Sequence, residues 1–178
     1  MNKLLKPLAK KIRQGFYFFS GLAVLLFIGG EVCWAMNITS LEFENNKFIP
    51  AKFTCQGQGV NPTLYITDIP VQAKSLALII DDPDAPAGNF VHWVLFDLPL
   101  INCIKENSVF GKQGRNTLGK FNYIPPCPPS GVHRYFFKIY ALDIILGLNV
   151  NIDKVDLEKA MKSHILDQAQ LIGLYQKK

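Results

Sequence analysis

Beyond its first 35 residues the chain has almost no net charge. From Met36 onward, 14 Lys and Arg stand against 13 Asp and Glu, so all but one unit of the formal +5 of the whole sequence belongs to the N-terminal stretch. A nucleic-acid interface needs Lys and Arg gathered on one face, and the body has no such cluster. It also has no basic amphipathic helix, so membrane contact is expected only through the N-terminal segment. No Walker-type loop, Gly-x-Ser-x-Gly elbow or His-x-x-x-His spacing is present. Those absences argue against a nucleotide hydrolase, an elbow-type serine hydrolase and a short-spaced zinc site. No internal repeat or long linker divides the body, which reads as one domain over residues 36–178.

The apolar run at the N-terminus is also short. Lys3, Lys6, Lys10, Lys11 and Arg13 precede an uncharged stretch from Gly15 to Gly30, rich in Phe, Leu, Val and Ile. A comfortable bilayer span needs roughly 20 apolar residues. Basic, apolar, then polar up to Ala35 is the order of a secretory signal, with cleavage after Ala35. Residues 1–35 are therefore expected to direct export, to the periplasm or outside the cell. Glu31 and Cys33 suit a cleavage region poorly, which leaves an uncleaved inner-membrane anchor open. A cytoplasmic form starting at Met36 is the other reading.

Cysteine is scarce. Outside the leader there are three, Cys55, Cys103 and Cys127, and an odd number cannot pair completely within one chain. In an exported protein Cys55 and Cys127, both in Gly/Pro-rich loops, are the favoured pair. Three free thiols, some buried as small hydrophobes, are the alternative.

What is present is strand pattern and turn chemistry. Ile38 to Phe43 alternates roughly, and Leu64 to Ile66 is a short strand. Ser75 to Ile80 is a near-continuous apolar run, as in a central strand buried on both faces. It stops at Asp81-Asp82-Pro83-Asp84-Ala85-Pro86, because proline cannot donate to a ladder. Phe90 to Leu98 is a further strand, with His92, Val94 and Phe96 expected on one face. Residues 102–131 look irregular. Arg134 to Leu142 is a strong strand, with His133, Tyr135, Phe137 and Ile139 on one side. The strongest helix signal starts at Asp153, with Asp156 three residues on. Leu157, Ala160, Met161, His164 and Ile165 continue it as one stripe, and Gly173 is expected to close its last turn. Many strands and one helix predict a mainly β, antiparallel fold with a C-terminal helix.

Asp82 and Asp84 end a buried strand in a loop stiffened by Pro83 and Pro86. His92 lies near the start of the next strand, and His133 at the start of a third with Tyr135 two residues on. Polar groups at strand ends, held by rigid loops, are how a β scaffold lines a pocket. Two imidazoles and a phenol can donate to a phosphate or carboxylate, and an aspartate can fix one imidazole's tautomer. Each residue also has a plainer reading, as a turn former or a satisfied core histidine. His164 reads as a core or boundary residue.

Asp82-Pro83-Asp84-Ala85-Pro86 followed by His92-Trp93-Val94 resembles the first signature of the phosphatidylethanolamine-binding proteins. Pro126-Cys127-Pro128-Pro129, then Gly131-Val132-His133-Arg134-Tyr135, resembles the second. Gly114-Arg115-Asn116 and Gly119-Lys120 fit the linking segment. Asn61-Pro62 to Leu64 and the stretches 161–166 and 171–175 are similar to the bacterial Raf-kinase-inhibitor-like branch. The resemblance spans about residues 37–176. It implies a large antiparallel sheet, a smaller sheet, and a pocket for phosphate-like groups such as a phosphorylethanolamine head. Carried over by motif, the lining is Asp82, Asp84, Pro86, His92, His133 and Tyr135, with the region of Pro126 as part of the wall and Arg134 structural. It implies a binding protein rather than an enzyme, without cofactor or metal, acting on a kinase or protease target and able to form a homodimer. The alternative is a hydrolase using His92, His133 and Asp82 as acid and base. The chain departs from the pattern in its short loop from Ala87 to Val91, in Asn61-Pro62-Thr63, and at Tyr65. These differences bear on the pocket mouth.

Overall fold

A strand buried on both faces needs a neighbour on each edge and a layer on each side. β6 (Ser75–Asp82), buried along its whole length, has all four. It pairs antiparallel with β7 (Phe90–Leu98) on one edge and β10 (His133–Leu142) on the other. β10 pairs in turn with β11 (Ile165–Tyr175). The two-residue strands β4 (Lys47–Phe48) and β9 (Lys112–Gln113) close the edges, giving the order β4-β11-β10-β6-β7-β9. Only β4 runs parallel to its neighbour. The structure is a computed structural model describing residues 35–178 and the backbone of two short strands, β1 (Leu26–Ile28) and β2 (Glu31–Cys33), which pair antiparallel. The leader expected over residues 1–35 therefore lies largely outside the described residues. Among the described residues, no helix is long and apolar enough to cross a membrane.

One face of the large sheet packs on a second, three-stranded sheet of β3 (Asn37–Thr39), β5 (Leu64–Thr67) and β8 (Cys103–Ile104). Leu76, Leu78 and Ile80 from β6 meet Tyr135, Phe137 and Ile139 from β10 and Ile38, Leu64 and Ile66 from the small sheet. Apolar side chains of this size each contribute about 1.5–3 kcal/mol when fully buried. The opposite face carries Ala77, Ile79, Val94 and Phe96, covered by Leu157 and Met161 of α1 (Lys154–Met161). The mainly β fold with large sheet, small sheet and C-terminal helix is thus present as expected.

Two expectations need correction. The strand read over Ile38 to Phe43 is only Asn37–Thr39, although Phe43 remains in the core. The helix is shorter than its stripe suggested. Asp153 caps it through Val155 and Asp156, and Asp156 returns the bond to complete a capping box. It ends at Met161, and Ile165–Tyr175 is a strand of the main sheet, not further helix. Gly173 is no helix stop. It lies opposite Tyr135 in the ladder, where an added Cβ would come within 2.5 Å of Ile49. Glycine is there because the small-sheet side presses close on the backbone.

Cys55 and Cys127 are joined in a disulfide, with their Cα atoms 5.4 Å apart. Among the described residues Cys103 is the free thiol.

Candidate functional site

The end of β6 sets two carboxylates on diverging paths. Asp82 still belongs to the strand and is buried. One of its oxygens accepts from the Asp84 amide at 2.8 Å, which fixes the proline-braced turn. The other accepts from His133 Nδ1 at 2.7 Å. Asp84 is turned outward instead. It takes a two-pronged bond from the Arg134 guanidinium, at 2.8 and 2.7 Å, and a third from the Arg134 amide. The guanidinium holds the Asp84 carboxyl down to about 2. Asp84 does not line the cavity described next, and its work is to clamp the start of β10 to the turn after β6.

His92 reaches the same place by an irregularity. β6 pairs Ile80 with Trp93 but Asp81 with Val91, so His92 is an extra residue in β7. Such a bulge flips the alternation locally. The expected partnership of His92 with Val94 and Phe96 on one face is therefore wrong. Val91 packs toward the helix side, and His92 shares the small-sheet side with Trp93 and Tyr135. Its ring meets Tyr135 edge-on at 5.2 Å and lies 4.8 Å from Phe90. Nδ1 donates to the Ile124 carbonyl at 2.7 Å, which assigns the proton to that nitrogen and leaves Nε2 free. Burial lowers the His92 pKa; the Ile124 bond and the charges of Asp82 and Asp81 offset this only partly. The ring is neutral at neutral pH.

His133 and Tyr135 come from one face of β10, as their spacing required. Asp82, His92, His133 and Tyr135 form the polar part of a cavity of about 280 Å³. The rest is apolar: Ala85, Pro86, Ala87 and Phe90 on one side, Ile124, Pro125, Cys127, Pro128 and Pro129 on the other. Pro126 is buried behind this wall, where its carbonyl accepts from the Cys55 amide, so its neighbours face the cavity in its place. The Tyr135 hydroxyl is enclosed and has no hydrogen-bond partner. Burial raises its pKa, as do the charge and the close approach of Asp82, although the two groups make no well-formed hydrogen bond, so it stays a protonated donor. A buried hydroxyl without a partner is uncommon in a native structure and calls for an explanation such as an absent ligand.

Ala85, Ala87 and Phe90 are lining that motif reasoning missed, while the wall expected around Pro126 is made by its neighbours Ile124, Pro125, Cys127, Pro128 and Pro129. The proline run marked a rigid wall, but not which of its members face inward. Among the described residues no group of three or more His, Cys, Asp or Glu is placed to hold a metal ion.

The sequence matches the family model described as phosphatidylethanolamine-binding protein over residues 39–176. It is 43% identical over 161 residues to a UPF0098 protein of Pyrococcus horikoshii, covering 84% of this chain and 81% of that one. A UPF0098 protein of Chlamydia muridarum is 45% identical over 148 residues, covering 79% and 99%. The crystal structure of a Chlamydia trachomatis protein described as a phosphatidylethanolamine-binding protein homolog superposes with a TM-score of 0.79 at 41% identity, over 81% of this chain and 99% of that one. Escherichia coli YbcL, at 23% identity and a TM-score of 0.73, covers 80% and 99% and shares the fold.

Proposed function

Since the chain belongs to the phosphatidylethanolamine-binding protein family, we propose that its cavity binds the polar end of a small phosphate- or carboxylate-bearing molecule and that the protein works by binding rather than by turnover. The observation that carries this is the Tyr135 hydroxyl: a donor held protonated, enclosed, and left without a partner beside His133 and His92. The apolar walls suit a head group with little further bulk, and about 280 Å³ is enough for phosphorylethanolamine but not for a whole lipid. Occupancy of the cavity is then what a protein target, a kinase or a protease, would read.

The charges make a further demand. Burial disfavours the charged form of His92, so an anion entering beside that ring draws a proton onto it. Binding is then coupled to proton uptake, and affinity for a phosphate-type anion rises as pH falls below the ordinary imidazole range. The test is a titration of inorganic phosphate and of phosphorylethanolamine, followed by NMR of the His92 and His133 ring signals. A saturable shift is expected, tighter at lower pH and lost in His133→Ala. No saturable response at either pH would sink the proposal.

One observation favours a second reading. Asp82 orients His133 at 2.7 Å, as a carboxylate orients a general base. Against it, no serine or threonine lines the cavity, and Cys127 is consumed in the disulfide. A panel of ester and phosphoester substrates separates the two: turnover abolished by His133→Ala would establish a hydrolase.

A further inference from the structure

On the other side of the bulge lies a second, larger opening. Val91, the neighbour of His92, faces it, between the loop Gly114–Lys120 and the start of α1. Its volume is about 470 Å³, within the usual range for small-molecule sites. Three donor side chains stand in its lining, Arg115, Thr117 and Lys154. Arg115 has no side-chain hydrogen bond or ion pair among the described residues, and its Nε is enclosed without a partner. An enclosed guanidinium N–H left unpaired calls for a missing acceptor. Thr117 accepts from the Val91 amide at 2.7 Å, so its own O–H proton remains to be given. Lys154 bonds the buried Asp81 at 2.5 Å and has a further N–H in reserve. Two carboxylates also stand at this opening. Asp153 is engaged in capping α1. Glu158 sits at the exposed rim, 3.6 Å from Lys154.

The backbone holds the arginine in place. The Arg115 amide donates to the Ile152 carbonyl at 2.7 Å. Gly114 permits this approach, because a Cβ there would meet Val94 at 2.8 Å and the Ile152 carbonyl at 2.9 Å. Asn116 accepts from the Leu118 and Lys120 amides, which shapes the loop.

We propose that this opening is a second binding site, for an oxyanion, with the Arg115 fork as its chief ligand and Thr117 and Lys154 in support. A guanidinium presents paired N–H groups that match carboxylate and phosphate oxygens alike. The site is separate from the His133 cavity, lies across the sheet from it, and does not depend on what that cavity binds.

The sequence has three arginines, so the Arg Nε–H region of a nitrogen-15 spectrum of the full chain is simple to assign. Inorganic phosphate and acetate are titrated separately, against sodium chloride at matched ionic strength. A saturable shift of the Arg115 Nε–H signal is expected with one or both, and the anion that saturates first names the ligand chemistry. The shift persists in His133→Ala. Followed at the Thr117 amide, affinity falls about tenfold or more in Arg115→Gln. It rises about two- to fivefold in Glu158→Gln, which removes the rim charge. Arg115→Lys keeps the charge without the fork and falls in between; it carries the test if the glutamine variant does not fold. A response equal to that of chloride, or one that disappears in His133→Ala, overturns the proposal.

Discussion

Tyr135 is the residue at which binding and stability pull apart. Its hydroxyl is enclosed and unpaired in the free protein, a condition that costs about 1–3 kcal/mol. Tyr135→Phe should therefore leave thermal stability unchanged or raise it, while weakening phosphate binding about tenfold. A calorimetric scan and a phosphate titration on one preparation check both signs; a variant that loses stability and keeps affinity contradicts the assigned role. His92 gives a pH signature. Its pKa in the fold lies below the ordinary value, so the unfolded chain takes up a proton first as pH falls. Its contribution is present above about 6.5 and is lost progressively below. His92→Gln should flatten the fall in unfolding temperature between neutral pH and about pH 5. Asp84 acts in a lower window. Its carboxyl is held down to about 2 from 3.8 by Arg134, so its part is present above 3.8 and lost as pH falls toward about 2.

At the scale of elements, the outcome depended on how much of each position local pattern decides. β6, β7 and β10 were legible because each carries a strong apolar or alternating run between prolines, glycines and acidic turns. The cap at Asp153 was legible because it is chemistry local to four residues. β11 was not. Leu157, Met161, His164 and Ile165 keep a helical spacing across the true helix end, and only the pairing of Ile165–Tyr175 with β10 overrides it. The bulge at His92 left no mark either, because an extra residue in one strand is defined by its partner strand. The motif brought His92 to the pocket while simple alternation sent it to the wrong face. Asp84 and Pro126 lie in the right loops, but turn geometry aims one at Arg134 and the other behind the wall. Gly173→Ala tests the corrected reading of β11. Its Cβ would press on Ile49 at 2.5 Å and Phe43 at 2.9 Å, and overpacking of this kind costs about 1–3 kcal/mol. If Gly173 merely ended a helix, the denaturation midpoint would hardly move.

Across the whole molecule, the cavity depends on a wall that belongs to neither sheet. Ile124 to Pro129 is irregular, and the tie between Cys55 and Cys127 fastens it to the turn around Phe53. Two weaker ties run alongside: the Cys55 amide to the Pro126 carbonyl, and the Tyr123 hydroxyl to the Phe53 carbonyl at 3.2 Å. Both cysteines are exposed, so the disulfide is open to reductant. The crosslink spans 72 residues, and closing a loop of that length removes about 4 kcal/mol of unfolded-state entropy in the chain-entropy model. Reduction, or replacement of both cysteines by serine, should lower the unfolding temperature substantially. It should also weaken phosphate binding, because the Ile124 carbonyl that orients His92 and the prolines facing Tyr135 sit on the released segment. The two effects are separable by titrating the reduced protein well below its unfolding temperature. A weaker affinity under those conditions places the wall under the control of the disulfide. An unchanged affinity in a folded, reduced protein would show that prolines and backbone bonds hold the wall unaided, and that the crosslink serves stability alone.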